Sequence, residues 1–190
     1  MLLASASPRR HELLTSIGVA FDAVAPDVDE THHVGERPTD YVARLAVAKA
    51  RAVPAPPRTL VVAADTTVAL DGDVLGKPLD SADARRMLER LSGRTHHVHT
   101  GVAVASDDRV EHVVVTTAVT FATLTPADVD WYVATGEPMD KAGAYGLQGA
   151  AGVLVAGVDG SVSNVIGLPL AELAGLVARF DRRLLGPVTG

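Results

Sequence analysis

The sequence predicts an α/β fold with a mixed β-sheet. Three observations carry that prediction. Helical and strand-like segments alternate through the first half of the chain. The run Leu60–Leu70 is apolar enough for a buried central strand. Two long β-rich segments, Thr95–Ala105 and Val110–Leu124, flank a turn at Asp107-Asp108, which makes them an antiparallel pair.

The elements follow in order. Met1–Ala4 reads as a short buried strand. Ser7-Pro8 then supplies an N-cap and a first helical position, with the helix running to Ser16 and stopped by Gly18. Val19–Val24 is a second strand, and Asp27–Glu36 a polar loop. Thr39 is expected to cap a helix to Val53, with Val42, Leu45, Ala46 and Lys49 on related faces. Asp71-Gly72 after the central strand is a hairpin signal. Ser81 is expected to cap a helix to Leu91, which Ser92-Gly93 ends. Thr125-Pro126 opens another that closes near Thr135-Gly136. Gly143–Gly152, with four glycines, reads as loop, Val153–Val158 as a strand and Pro169–Arg183 as a final amphipathic helix.

The 190 residues suit one domain, 1–190, or one domain with two lobes around a cleft. Cysteine is absent, which excludes disulfides and thiol chemistry. Neither a membrane span nor a secretory leader is legible, so the cytoplasm is the expected compartment. The net charge of −6 and the 4 % aromatic content argue against nucleic-acid binding, but a local cluster of cations can still hold a small anion. Of 17 basic residues only Lys49, Lys77 and Lys141 are lysines, and Asn164 and Gln148 are the single Asn and Gln. A lysine that persists in an arginine-rich chain points to a site where a compact charge is needed and a planar fork does not fit.

Four clusters have chemical content. Ser5-Ala6-Ser7-Pro8-Arg9-Arg10 places two hydroxyls and two guanidiniums at a helix start, which suits phosphate, though Ser-Pro starts with solvated arginines are common. Asp65 lies inside an apolar strand, where a carboxylate needs a cation, hydrogen bonds or a metal. Gly76-Lys77-Pro78 is not a P-loop, because the glycine spacing is short and Pro78 stands where Ser or Thr is required, yet Lys77 can still reach a phosphate. Asp27, Asp29 and Glu30 form an acidic loop able to complete a metal site with Asp65. His96, His97 and His99 do not make a zinc site, since neighbours on a strand face opposite ways. No His-Glu-x-x-His or Gly-x-Ser-x-Gly pattern is present.

In this order the segments LLASASPRRHELL, Asp29-Glu30, YVARLAVAKA, AADTTVALDGDVLGKPLD, MLERLSGRTHHVHTGV, YVATGEPMDKAGAYGLQG and NVIGLPL resemble the Maf family of nucleotide pyrophosphatases over nearly the whole chain. The resemblance implies an elongated mixed sheet with flanking helices, two lobes around a cleft, related to inosine-triphosphate pyrophosphatase folds. It also implies hydrolysis of the α–β phosphoanhydride of a nucleoside triphosphate, with a divalent cation such as Mg²⁺ or Mn²⁺. Carried over, Ser7, Arg9 and Arg10 would hold the triphosphate, and Lys49 and Lys77 would neutralise the leaving pyrophosphate. Glu30 would help hold the metal, and Asp65 would be the proton acceptor, or else a metal ligand beside it. Arg10, Thr66 and Gln148 resemble the branch acting on dTTP and UTP; modified nucleotides such as 7-methyl-GTP, or a non-catalytic role in cell division, are the alternatives. Several members form homodimers, and the final helix and the long β pair each offer a surface for one.

Overall fold

The computed structural model describes residues 1–185; the last five positions of the 1–190 span expected as one domain lie outside the described residues. One seven-stranded sheet organises the chain. Its order is β2 (Asp22–Val24), β1 (Leu2–Ala4), β3 (Val61–Leu70), β5 (Thr95–Ser106), β6 (Arg109–Phe121) and β7 (Val155–Asp159), with β4 (Asp73–Leu75) also on β3. β1 pairs parallel with β2 and β3, and all other pairings are antiparallel. The sheet is therefore mixed, as the sequence predicts.

The register of β3 shapes the molecule. One of its edges pairs with β1 over Val61–Ala63 and with β4 over Val68–Leu70. Between them, Ala64–Thr67 has no partner on that edge among the described residues, so the sheet opens there. Its other edge runs unbroken along β5 from Val61 to Ala69. The gap separates two packed regions. In the first, β1, β3 and β5 bury Leu3, Val62 and Val104 against α1 (Pro8–Ser16) and α6 (Leu170–Ala178). The opposite face of the same strands buries Ala63 and Ala103 against Ala46 and Ala50 of α2 (Pro38–Ala52). In the second region, Val68, Leu70, Val98 and Phe121 pack with Leu88 of α3 (Ser81–Leu91), Tyr132 of α4 (Pro126–Ala134) and Tyr145. The two lobes share β3 and β5, and also β6, through Val113 in one and Phe121 in the other; the cleft lies across the middle of β3.

α2 reaches its place because β5 has Gly101 opposite Asp65. A Cβ there would lie 2.6 Å from the Val42 carbonyl carbon and 3.0 Å from the Ala43 nitrogen. The helix backbone therefore rests directly on the sheet, two turns before Lys49.

Several boundaries differ from the sequence prediction. α2 begins at Pro38 with Arg37 in the capping position, two residues ahead of Thr39, because proline suits the first helical residue. Asp80, not Ser81, caps α3, accepting the Asp83 N–H at 2.7 Å. Thr125 does cap α4, in a reciprocal capping box with Asp128. Only Asp22–Val24 of the second strand pairs; the Val19 N–H instead closes α1 on the Leu14 carbonyl. The late glycine-rich segment is wound into short 3₁₀ turns, and β7 begins at Val155. A short helix α5 (Val162–Ile166), which the sequence does not predict, is capped at its start by Ser161. The last helix ends at Ala178, where Arg179 caps it, short of Arg183.

Candidate active site

The opening in the sheet leads into a cleft of ≈ 560 Å³. Successive residues of β3 point to opposite faces, so Asp65 faces α2 and Thr66 faces α1 and α5. Ser7, Arg9, Arg10, Glu30, Lys49, Asp65, Thr66, Lys77 and Gln148 all line this one cleft. The remaining candidates fall elsewhere. Asp27 and Asp29 are not among the lining residues, and Asp29 instead accepts the Thr31 N–H at 2.8 Å within its own loop. His97 and His99 stack on each other away from the cleft, and His96 is buried against Tyr145.

Lys49, in the last turn of α2, is only 7 % exposed. Its ammonium meets Asp65 Oδ1 at 2.7 Å and Glu30 Oε1 at 2.6 Å. A buried ammonium without such partners would be strongly unfavourable, which explains why a buried lysine and a buried strand aspartate occur together. The second oxygen of Asp65 has no hydrogen-bond partner among the described residues. Glu30 comes from the loop before α2. That loop is anchored by Tyr41, whose hydroxyl donates to the Glu30 carbonyl at 3.0 Å. Arg44 also holds it, donating to both oxygens of Glu36 at 2.7 and 2.8 Å and to the Thr31 carbonyl at 3.0 Å. Burial, with Asp65 and Glu30 nearby, pushes the Tyr41 phenol up to about 12, so it stays a neutral donor.

On the other face, Arg10 is fixed by its own lobe. Its Nε donates to the Gly167 carbonyl at 2.8 Å, Nη2 to Thr66 Oγ1 at 3.1 Å and Nη1 to Ser5 Oγ at 3.3 Å. Burial pulls its pKa down, opposed by the Asp65 charge. Three N–H groups are used internally; a guanidinium has five, so two stay available for a ligand. Thr66 is held in turn by Thr100, 3.0 Å away, whose hydroxyl has the Asn164 carbonyl within 3.0 Å. Ser7 takes the N-terminal capping position of α1, but among the described residues its hydroxyl caps nothing and has no partner at the cleft.

The second lobe supplies Lys77, exposed and without an ion-pair partner among the described residues, and the pair Asp140-Lys141. Asp140 spans the cleft, accepting from Arg9 at 3.0 Å and from Lys141 at 2.6 Å. Five cations therefore line the cleft, Arg9, Arg10, Lys49, Lys77 and Lys141, against the carboxylates Glu30, Asp65 and Asp140. In a chain of net charge −6 this local excess of positive charge favours an anionic ligand. Sequence reasoning assigns no role to Asp140, Lys141, Tyr41 or Gly167. Lys141 carried a signal, as one of three lysines; the others had none that a single sequence displays.

Glu30 and Asp65 direct carboxylate oxygens at one point, now held by the Lys49 ammonium. Among the described residues no group of three or more His, Asp or Glu is arranged to hold a metal. Two carboxylates fit an ion of the Mg²⁺ type, which keeps waters and takes the rest of its shell from substrate phosphates.

A mixed α/β fold with a cation-lined cleft across a broken sheet edge is an arrangement that suits small, highly anionic ligands. The chain belongs to the Maf-like protein family, whose model matches residues 1–180. A dTTP/UTP pyrophosphatase of Myxococcus xanthus (strain DK1622) is 54 % identical over 180 residues, covering 94 % of this chain and 91 % of that protein. Proteins of the same name from Anaeromyxobacter dehalogenans (strain 2CP-C) and Shewanella oneidensis are 57 % and 50 % identical, each over 94 % of this chain and over 93 % and 96 % of their own length. A solved structure, the Staphylococcus aureus Ham1 protein, overlaps 64 % of this chain and 71 % of its own at TM-score 0.44 and 17 % identity, too distant to bear on function.

Proposed function

We propose that this chain, acting as one domain over 1–190, hydrolyses dTTP and UTP at the α–β phosphoanhydride, releasing the monophosphate and pyrophosphate. The observation that carries the reading is the pairing of Asp65 and Glu30 on Lys49 at the break in the sheet, facing four further cations. Relatives about half identical over nearly their full length bear the name of that activity. Action on the free nucleotide pool would place the reaction in the cytoplasm. Among the described residues no helix is long and apolar enough to cross a membrane.

Asp65 is the proton acceptor in this reading. Lys49 fixes Oδ1, which leaves the second oxygen to take a proton from the attacking water. Ser7, Arg9 and Arg10, at the start of α1, bind the triphosphate oxygens. Lys77, and Lys49 once its carboxylates are otherwise engaged, neutralise charge that builds on the departing pyrophosphate. Glu30 and Asp65 are the residues that would hold a Mg²⁺ or Mn²⁺ ion. When bound, such an ion supplies Lewis-acid stabilisation of the phosphates and lowers the pKa of water. Gln148, exposed on the cleft rim, presents an amide that can pair with both the carbonyl and the N–H of a thymine or uracil edge. Thr66 supports selection by holding Arg10.

The test is a panel of nucleoside triphosphates, with Mg²⁺ or Mn²⁺, assayed for pyrophosphate. The expected result is turnover of dTTP and UTP well ahead of CTP, ATP and 7-methyl-GTP. Preferential turnover of 7-methyl-GTP would overturn the base assignment and keep the reaction. Binding of nucleotide with no turnover would favour a regulatory role instead.

A further inference from the structure

The segment that carries Gln148 is tied down at one end by the half-buried Glu137 and at the other by the buried Tyr132 that Glu137 holds. Glu137, just after α4, turns its carboxylate inward beneath the glycine-rich loop. Its Oε2 accepts the Ala150 N–H at 2.8 Å, and its Oε1 accepts the Tyr132 hydroxyl at 2.8 Å. The same hydroxyl accepts the Gly146 N–H at 3.3 Å. Tyr132 is fully buried in the core of the second lobe, and burial together with Glu137 raises its pKa, so it remains a phenol able to donate. Lys141 adds a third tie, donating to the Glu137 carbonyl at 2.6 Å. Between the two anchored amides the loop closes on itself through the Gly149 N–H and the Gly146 carbonyl at 3.1 Å. Gly149 cannot carry a side chain in this arrangement, because its Cβ would collide with the Glu137 carboxylate. Gln148 stands between the anchors, and nothing else among the described residues hydrogen-bonds its side chain.

We propose that Glu137 is a positioning residue for base selection. Its carboxylate and the Tyr132 hydroxyl clamp Gly146 and Ala150, and so fix where Gln148 meets the base. This rests on the reading of Gln148 as the base-contacting residue. Glu137 is not among the residues that line the cleft and bonds neither Lys49 nor Asp65, so its loss acts on recognition and leaves the chemical step in place. A recognition amide displaced by a loose loop forfeits hydrogen bonds of the kind worth about tenfold in discrimination.

The experiment measures kcat and KM for UTP and CTP in the wild-type protein and in Glu137→Ala, Tyr132→Phe and Gln148→Ala, with amide hydrogen exchange of the Gly146–Ala150 segment. Tyr132→Phe keeps the buried ring and guards against a folding failure of the first variant. Expected are a rise of about tenfold in KM for UTP with kcat within about twofold, and a matching loss of UTP-over-CTP preference. Faster exchange at Gly146 and Ala150 should accompany it. The double variant Glu137→Ala/Gln148→Ala should be no less selective than Gln148→Ala alone. Glu137→Gln, which keeps an acceptor for the Ala150 amide, should recover most of the loss. Unchanged exchange, or unchanged selectivity in Glu137→Ala and Tyr132→Phe while Gln148→Ala loses it, would overturn the assignment of Glu137. Unchanged selectivity in Gln148→Ala would instead remove base reading from this loop, and the role of Glu137 with it.

Discussion

Replacing Gly101 by alanine tests how Lys49 is delivered to the cleft. Gly101 does not line the cleft and carries no functional group, yet α2 rests on it. The added Cβ would sit 2.6 Å from the Val42 carbonyl carbon and 3.0 Å from the Ala43 nitrogen. Both neighbours are helix backbone and cannot rotate aside. An ordinary contact needs about 3.5–4 Å between carbon atoms, so α2 must retreat by about 1 Å. Overpacking of this kind costs about 1–3 kcal/mol. For a chain of this size that corresponds to about 2–12 °C in Tm. The functional loss should exceed the stability loss. Lys49 lies on the same helix, and its bonds to Asp65 and Glu30 are 2.7 and 2.6 Å long. A displacement of about 1 Å at such a site can cost about 100-fold in rate. The assay compares thermal midpoints and kcat/KM for UTP at a temperature where both proteins are fully folded. A variant with wild-type midpoint and wild-type kcat/KM would refute the account of α2 placement.

Arg10→Lys should lower kcat/KM by about 100-fold, since an ammonium cannot serve the Gly167 carbonyl, Thr66 and Ser5 together while also meeting phosphate; steady-state kinetics with UTP would show it. Lys49→Met should reduce kcat by a factor of about 100 or more by leaving Glu30 and Asp65 without their shared cation, and single-turnover pyrophosphate release would measure the chemical step. Burial, reinforced by the neighbouring His97, pushes the pKa of His96 down from 6.5 to about 4. The unfolded chain therefore takes up a proton that the native state refuses. The contribution of His96 is fully present above pH 6.5 and is lost as pH falls from there toward about 4. His96→Phe should flatten the fall in urea-unfolding free energy across that window; an unchanged slope would contradict the assignment.

The strands and helices were legible where local chemistry and tertiary packing agree. The apolar run at β3, the Asp71-Gly72 turn and the Thr125-Pro126 start all form as their residues require. Residue type alone does not decide a cap where two candidates stand side by side. Pro38 displaced Thr39 as the organiser of α2, and Asp80 outcompeted Ser81 through its bond to the Asp83 N–H. α5 escaped because its five residues have no periodicity of their own; Asn164 forms its fixed point by bonding the Val98 carbonyl and Thr117 from strands distant in sequence. The nine candidate site residues could be chosen from residue type and resemblance, and they line one cleft. Their arrangement could not be chosen that way. That Lys49 bridges Glu30 and Asp65, or that Asp140 spans the cleft to Arg9, depends on contacts between segments with no sequence proximity.

The most direct test of the central claim is product identity. The wild-type protein and Asp65→Asn would be incubated with UTP and Mg²⁺, and UMP, UDP, phosphate and pyrophosphate quantified together. The account predicts UMP and pyrophosphate in equal amounts from the wild-type protein and a rate lower by a factor of about 100 or more from the variant, in line with loss of a general base. Formation of UDP and phosphate, or full activity in Asp65→Asn, would contradict it.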